Sequence, residues 1–258
     1  MDINILVVSA GNSRIALGVF VAGELQQVRR VPVEDRANLP GIAKELWNLI
    51  ANSERPAVVG ASVNPLQFEV LEHIFKEATE ESIQWVGKDI DLPIEVLTEN
   101  PAQTGVDRVL GIAAAFEQMQ KACIVVDAGT ALTVSLCNDK GQFMGGAIAP
   151  GAKMQLNAMH KYTAALPAVE LKAPTDAFGQ NTEQAMLHGV YHGIRGMVKE
   201  LAENYATALG FWPEIIATGG DARTLFADWE LIHAISPDLG LYGIAMAYTN
   251  HCIKHDDD

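Results

Sequence analysis

The chain has 258 residues, of which 49% are apolar and 19% charged, and its formal net charge is -14. That balance excludes a disordered chain and leaves room for one large domain or two of ordinary size. No run of Lys or Arg forms a basic face for nucleic acid, and no stretch approaches the ~20 apolar residues that a bilayer demands, so neither partner is expected.

The N-terminus shows no basic segment ahead of an apolar run, and Cys123, Cys137 and Cys252 lack CxxC spacing. The expectation is a cytoplasmic protein with reduced, partly buried thiols. An acidic protein can still bind an anion locally, through backbone N–H groups, helix N-termini, a metal ion or a few placed arginines.

In chain order, INILVV is a short apolar run and predicts a buried strand. IALGVFVAGELQQVRRV predicts two strands joined at Ala22-Gly23. From Leu39 to Ala51, Ile42, Leu46, Leu49 and Ile50 recur at helical spacing. PAVVGASV predicts another buried strand. PLQFEVLEHIFKEA predicts a helix with Pro65 in its first turn and Leu66, Val70, Leu71, Ile74 and Phe75 on one face. SIQWV predicts a short strand, and DRVLGIAAAFEQM a helix entered through the turn 103–105.

The pattern then restarts. ACIVVDAG, ALTVSLCN and FMGGAIAPG predict three strands, with a turn at Asp139-Lys140-Gly141 between the last two. VVSAGNSRI, from Val7, returns as VVDAGTALT, from Val125, 118 residues on, and Gly23 has its counterpart at Gly141 with the same offset. Two features at one offset predict an internal duplication. Helical patterns cover 152–163 and 182–208. PEIIATGGDA predicts a strand, a Gly-rich turn and a new helix, and LYGIAMAYTNH a last helix. The closing HDDD is expected as a solvated tail. The organisation expected is two α/β lobes, 1–120 and 121–258, with a cleft between them.

The two related turns carry the first functional expectation. A tight Gly turn flanked by hydroxyls can cradle a phosphate, and an Asp at the strand end can hold a metal ion or its waters beside it. Each turn alone is better read as an ordinary hairpin turn, and it is the two related copies facing one cleft that favour the phosphate reading. In TGVDRV, Asp107 and Arg108 sit at the start of a helix. They read either as a dipole-stabilising acid with a solvated arginine, or as a general base with an anion clamp. GGAIAPG has small residues that admit a ligand or a close neighbouring backbone. In ATGGDA, Asp221 reads as a helix N-cap, while the Gly pair also suits a base or ribose lying over it. His188 and His192 stand i, i+4 on a helix without a third metal ligand, which favours core or interface histidines.

Taken together, TGVDR, VVDAGTALT, GGAIAPG, TAALP at 163–167, GQNT at 179–182 and TGGDA resemble the type III pantothenate kinases, of the sugar kinase, actin and Hsp70 ATPase superfamily. The resemblance spans nearly the whole chain. It implies an α/β fold of two ribonuclease-H-like, actin-like ATPase lobes, and a homodimer. It implies ATP-dependent phosphorylation of pantothenate on the way to coenzyme A, with Mg2+ and a monovalent cation, K+ or NH4+. On that resemblance Asp107 is the general base. Gly105, Arg108 and Thr182 bind pantothenate, and Asp127 binds the monovalent cation. Gly11, Asn12, Ser13, Gly129, Thr130 and Thr133 lie along the nucleotide, and Gly219 and Gly220 flank the adenosine.

Two positions depart from the family pattern. The first motif reads roughly Asp-x-Gly-Asn-Thr in the family, and this chain has Ser9 where that Asp stands. Serine brings no charge to hold a hard cation. The family also usually carries an aromatic residue at the position of Thr98. These departures keep two further readings open: a binding or regulatory paralogue that has given up catalysis, and a kinase for another small hydroxylated acid.

Overall fold

The structure, a computed structural model, describes residues 3–256. Residues 257 and 258 of the expected tail lie outside the described residues. Contacts divide the chain into two compact units, one of 1–95, 100–114 and 239–258, the other of 96–99 and 115–238.

The first unit is built on β1 (Ile5–Ala10), β2 (Arg14–Val21), β3 (Glu24–Pro32), β4 (Ala57–Ser62) and β5 (Ile83–Trp85), in sheet order β3-β2-β1-β4-β5. β1 pairs antiparallel with β2 and parallel with β4. Its near-continuous apolar run follows from burial on both faces. Leu6, Val8 and Ala10 pack with α1 (Leu39–Trp47) and α2 (Pro65–Thr79). Ile5 and Val7 face the other way, onto Leu110 of α3 (Val106–Met119) and onto Leu241, Ile244, Ala247 and Tyr248 of α7 (Leu239–Asp256). Strand alternation therefore puts Ser9 on the α3 and α7 side.

The second unit repeats this order with β6 (Cys123–Ala128), β7 (Ala131–Cys137), β8 (Phe143–Pro150), β9 (Glu214–Thr218) and β10 (Ala234–Ile235), in sheet order β10-β9-β6-β7-β8. Each strand has its counterpart in the first sheet, and Gly23 and Gly141 share a left-handed backbone, with φ of 82° and 77°. The predicted duplication is thus present in topology and in turn geometry. Ile124, Val126 and Ala128 pack against α4 (Ala152–Tyr162), α5 (Thr182–Leu209) and α6 (Ala222–Phe226). Asp127 faces away from that core, as Ser9 does from its own helical layer of α1 and α2. Cys123 and Cys137 stand opposite each other in the ladder. Hydrogen bonding between the two thiols, with burial, pushes Cys123 above its usual range.

Three expectations are corrected. The break expected at 120/121 falls instead inside α3, between residues 114 and 115, and α7 returns to the first unit because its apolar residues cover that sheet. Leu66, expected on the buried face of α2, is 85% exposed, and Gln67 is buried in its place. The reason is polar: Gln67 Nε2 donates to Gly11 O over 3.1 Å. Leu49 is likewise exposed, and Leu39, Ala43 and Trp47 fill the buried face of α1.

The return of α7 has a measurable energetic side. Ile244 is fully buried beneath the first sheet. Ile244→Ala is expected to lower the unfolding free energy by about 2–5 kcal/mol, read as a shift of the urea midpoint at unchanged slope.

Candidate active site

The first turn, between β1 and β2, is fixed from behind. Gly11 N–H donates to Arg14 O at 2.9 Å, the Ser62 hydroxyl reaches Ala10 O at 3.2 Å, and Gln67 holds Gly11 O. Asn12 and Ser13 are left exposed on the outer side, and Ser9 is half-buried. Ser9 lies near the start of α7, where a Cβ on Gly240 would stand 4.0 Å from its hydroxyl.

In the same unit, Asp107 and Arg108 occupy the first turn of α3, as predicted. The Arg108 N–H donates to Asp107 Oδ1 at 2.8 Å. Gly105 keeps the carboxyl approachable, since a Cβ there would come within 2.8 Å of Oδ1. Asp107 keeps contact with solvent, yet the surrounding protein strips much of its hydration. That desolvation raises its pKa above the ordinary 3.8, against the opposing pull of the Arg108 N–H and the Arg108 charge.

The second turn, between β6 and β7, is where three segments of the second unit converge. Gly151 N–H donates to Thr130 O at 3.1 Å, and Asp221 N–H donates to Ala128 O at 3.0 Å. Gly151 fits so closely that a Cβ there would overlap Gly129 O and stand 2.6 Å from Thr130 O. Gly219, at φ 95°, lies against the Asp127 carboxyl and 2.6 Å, for a Cβ, from Ala128 O. Asp127 and Thr133 are ladder partners. The Gly129 N–H is spent inside the turn, on Ala131 O at 3.1 Å, so it is not a free phosphate donor here. Thr130 and Gly220 are exposed.

The predicted residues are divided between the two units. Ser9, Gly11, Asn12, Ser13, Gly105, Asp107 and Arg108 belong to the first unit, and Asp127, Gly129, Thr130, Thr133, Thr182, Gly219 and Gly220 to the second. Within the second, Thr182 is the exposed first residue of α5, behind the Asn181 cap. Thr98 lies in the short segment that joins the second unit, where Leu97 N–H donates to Phe143 O at 2.8 Å.

Two motif readings need correction. Asp221 does not cap α6 with its side chain; its carboxylate meets Lys153 Nζ at 2.8 Å. His188 and His192 stack at 5.4 Å with His192 exposed, which removes the core half of that reading and leaves the interface half standing. Lys153 and Gln67 escaped sequence reasoning. A single lysine carries no pattern, and the only signal for Gln67 was a polar residue on an otherwise apolar helix face.

Among the described residues no three His, Cys, Asp or Glu side chains stand close enough to cage an ion. A magnesium site commonly draws on one or two carboxylates and on substrate phosphates. Asp127, half-buried at the second turn, is one carboxylate of that kind.

The sequence pattern of the type III pantothenate kinases matches residues 5–204, which include Ser9, Asp107, Asp127 and Thr182. A type III pantothenate kinase of Dehalococcoides mccartyi is 32% identical over 96% of this chain and 98% of its own length. The chain belongs to the type III pantothenate kinase family. Solved structures agree on the fold. A protein of Campylobacter jejuni titled as a Baf family transcriptional activator aligns with a TM-score of 0.62, at 18% identity, over 98% of this chain and 100% of its own. MreB 5 of Spiroplasma citri aligns with a TM-score of 0.52, at 11% identity, over 100% and 98%. This pantothenate kinase family member thus has the two ribonuclease-H-like lobes of the actin-like ATPases. None of its described helices is long and apolar enough to cross a membrane.

Proposed function

We propose that this protein transfers the terminal phosphoryl group of ATP to the primary hydroxyl of pantothenate, giving 4'-phosphopantothenate for coenzyme A synthesis. The observation that carries the proposal is Asp107, a solvent-reachable carboxyl with a raised pKa beside Arg108, in a chain of this family. Asp107 takes the hydroxyl proton as that oxygen attacks the γ phosphorus. The new P–O bond forms in line with the bond to the β-phosphate oxygen, which breaks, and ADP leaves with its electron pair. Solvent reaching Asp107 then carries the proton away.

Arg108 offers a planar fork to the pantothenate carboxylate, and Gly105 and Thr182 complete that side. Gly11, Asn12, Ser13, Gly129, Thr130 and Thr133 line the phosphates, Gly219 and Gly220 the adenosine, and Asp127 the monovalent cation, potassium or ammonium. Magnesium, when bound to the phosphates, neutralises charge that builds on the transferring group. The same proposal makes the protein a cytoplasmic homodimer, a state that sedimentation of the purified chain checks directly.

Transfer of phosphate from ATP to pantothenate, with magnesium and potassium present, tests the proposal on the natural protein beside Ser9→Asp. The natural chain is expected to turn over, and Ser9→Asp to raise the rate by about 10–100-fold by restoring a charged partner at the phosphates. Turnover by Ser9→Asp alone would transfer the natural chain to the binding or regulatory reading, which its neutral Ser9 favours. Turnover by neither would end the pantothenate reading and leave only a kinase for another small hydroxylated acid, which a panel of such acids tests.

A further inference from the structure

The Asp221 carboxylate is an awkward neighbour for a polyphosphate. Its side chain is only 9% exposed, and it does not cap a helix. Its own backbone N–H is tied to Ala128 O, which fixes it to the strand end that carries Asp127. Asp127 in turn lies against Gly219, two residues before Asp221. Two carboxylates therefore border the pair of turns at 127–130 and 219–221. A buried charge left without a partner is costly, and it repels any further charge of its own sign.

The partner of Asp221 is Lys153, in the first turn of α4. Gly151, two residues earlier, is pressed against the backbone of Gly129 and Thr130, so Lys153 starts from a fixed point beside the second turn. Its side chain is 63% exposed, so it extends over the surface and ends on a buried acid. An exposed lysine could have remained in solvent. This one is spent where the backbone brings a second carboxylate to the turns.

We propose that Lys153 is the built-in counter-ion of the nucleotide site. It neutralises Asp221 so that a nucleoside polyphosphate can enter beside it, and it makes no contact with the nucleotide itself. The proposal rests on the kinase reading above, which assigns these turns to ATP. Lys153 and Asp221 are then positioning residues for binding, acting through charge on the ligand.

The test is titration of the full chain with magnesium ATP, magnesium ADP and adenosine, for the natural protein, Lys153→Ala, Asp221→Asn and the double variant. Lys153→Ala is expected to raise the ATP dissociation constant by about tenfold, the scale of a partly screened charge contact, with a smaller change for ADP and about twofold or less for adenosine. Adding Asp221→Asn to Lys153→Ala is expected to return ATP affinity to within about threefold of the natural value, because the uncompensated carboxylate is gone. An unchanged ATP affinity in Lys153→Ala overturns the proposal. Equal losses for ATP and adenosine overturn it too, since a merely structural pair would not sense the phosphates. A double variant as weak as Lys153→Ala shows that Lys153 touches the nucleotide, which also overturns it. In these three cases the natural protein still binds ATP and the kinase reading stands. A natural protein that binds no ATP removes both.

Discussion

Asp107→Asn is expected to lower turnover of pantothenate by about 10²–10⁴-fold while leaving the ATP dissociation constant unchanged. Asparagine keeps the size and the hydrogen bond accepted from the Arg108 N–H, so what it removes is the capacity to take a proton. The pH profile adds a second, independent check. Desolvation raises the Asp107 pKa above the ordinary 3.8, so the protonated, inactive form persists to higher pH than for a solvated aspartate. Activity should fall as pH drops through that raised value, and kcat/KM of the natural protein should show this acid limb. The residual activity of Asp107→Asn should lack it. The Arg108 charge works in the opposite direction on the same carboxyl, lowering its pKa. Arg108→Ala should therefore move the limb to higher pH as well as raise the KM for pantothenate.

Gly151→Ala is expected to cost about 1–3 kcal/mol of stability, the usual range for overpacking, and to weaken ATP binding by more than the Lys153→Ala change does. The added methyl would meet Gly129 O and Thr130 O, which are backbone atoms and cannot rotate out of the way. Relief requires a shift of α4, of the 128–131 turn, or of both, and either shift breaks the Gly151–Thr130 hydrogen bond. Urea unfolding and ATP titration measure the two losses separately. Gly189→Ala supplies the control. It adds the same methyl to α5, where nothing lies within 4 Å, and helix propensity predicts a gain of up to ~1 kcal/mol.

The strands and the duplication were legible because buried strands announce themselves as apolar runs, and because the offset from Val7 to Val125 also relates Gly23 to Gly141. The turn residues of the candidate site came with those strands. What escaped was decided over long sequence distances. A side chain near a helix start reads as a cap, but Asp221 is taken by Lys153 from another helix. The apolar spacing of α2 pointed to Leu66, but the carbonyl of Gly11 needed a donor and Gln67 took the buried place. The lobe boundary failed for a related reason. The composition of α7 declares it apolar, and apolar character does not say which sheet it will cover.

The place of α7 in the chain constrains the order in which the protein can be made. The sheet it covers runs in sequence from Ile5 to Trp85, and most of the second unit is encoded between α3 and α7. At about 5–20 residues per second, the roughly 150 residues between Trp85 and Leu239 leave the first sheet without that cover for about 8–30 s. During this interval Ile5, Val7, Val59 and Phe20 have no α7 to pack against. The second unit, contained between residues 96 and 238, can close on its own strands while the first waits. The nascent chain is therefore expected to complete its later-synthesised lobe first, which pulse proteolysis of stalled nascent chains would check, with the earlier lobe the more easily cut.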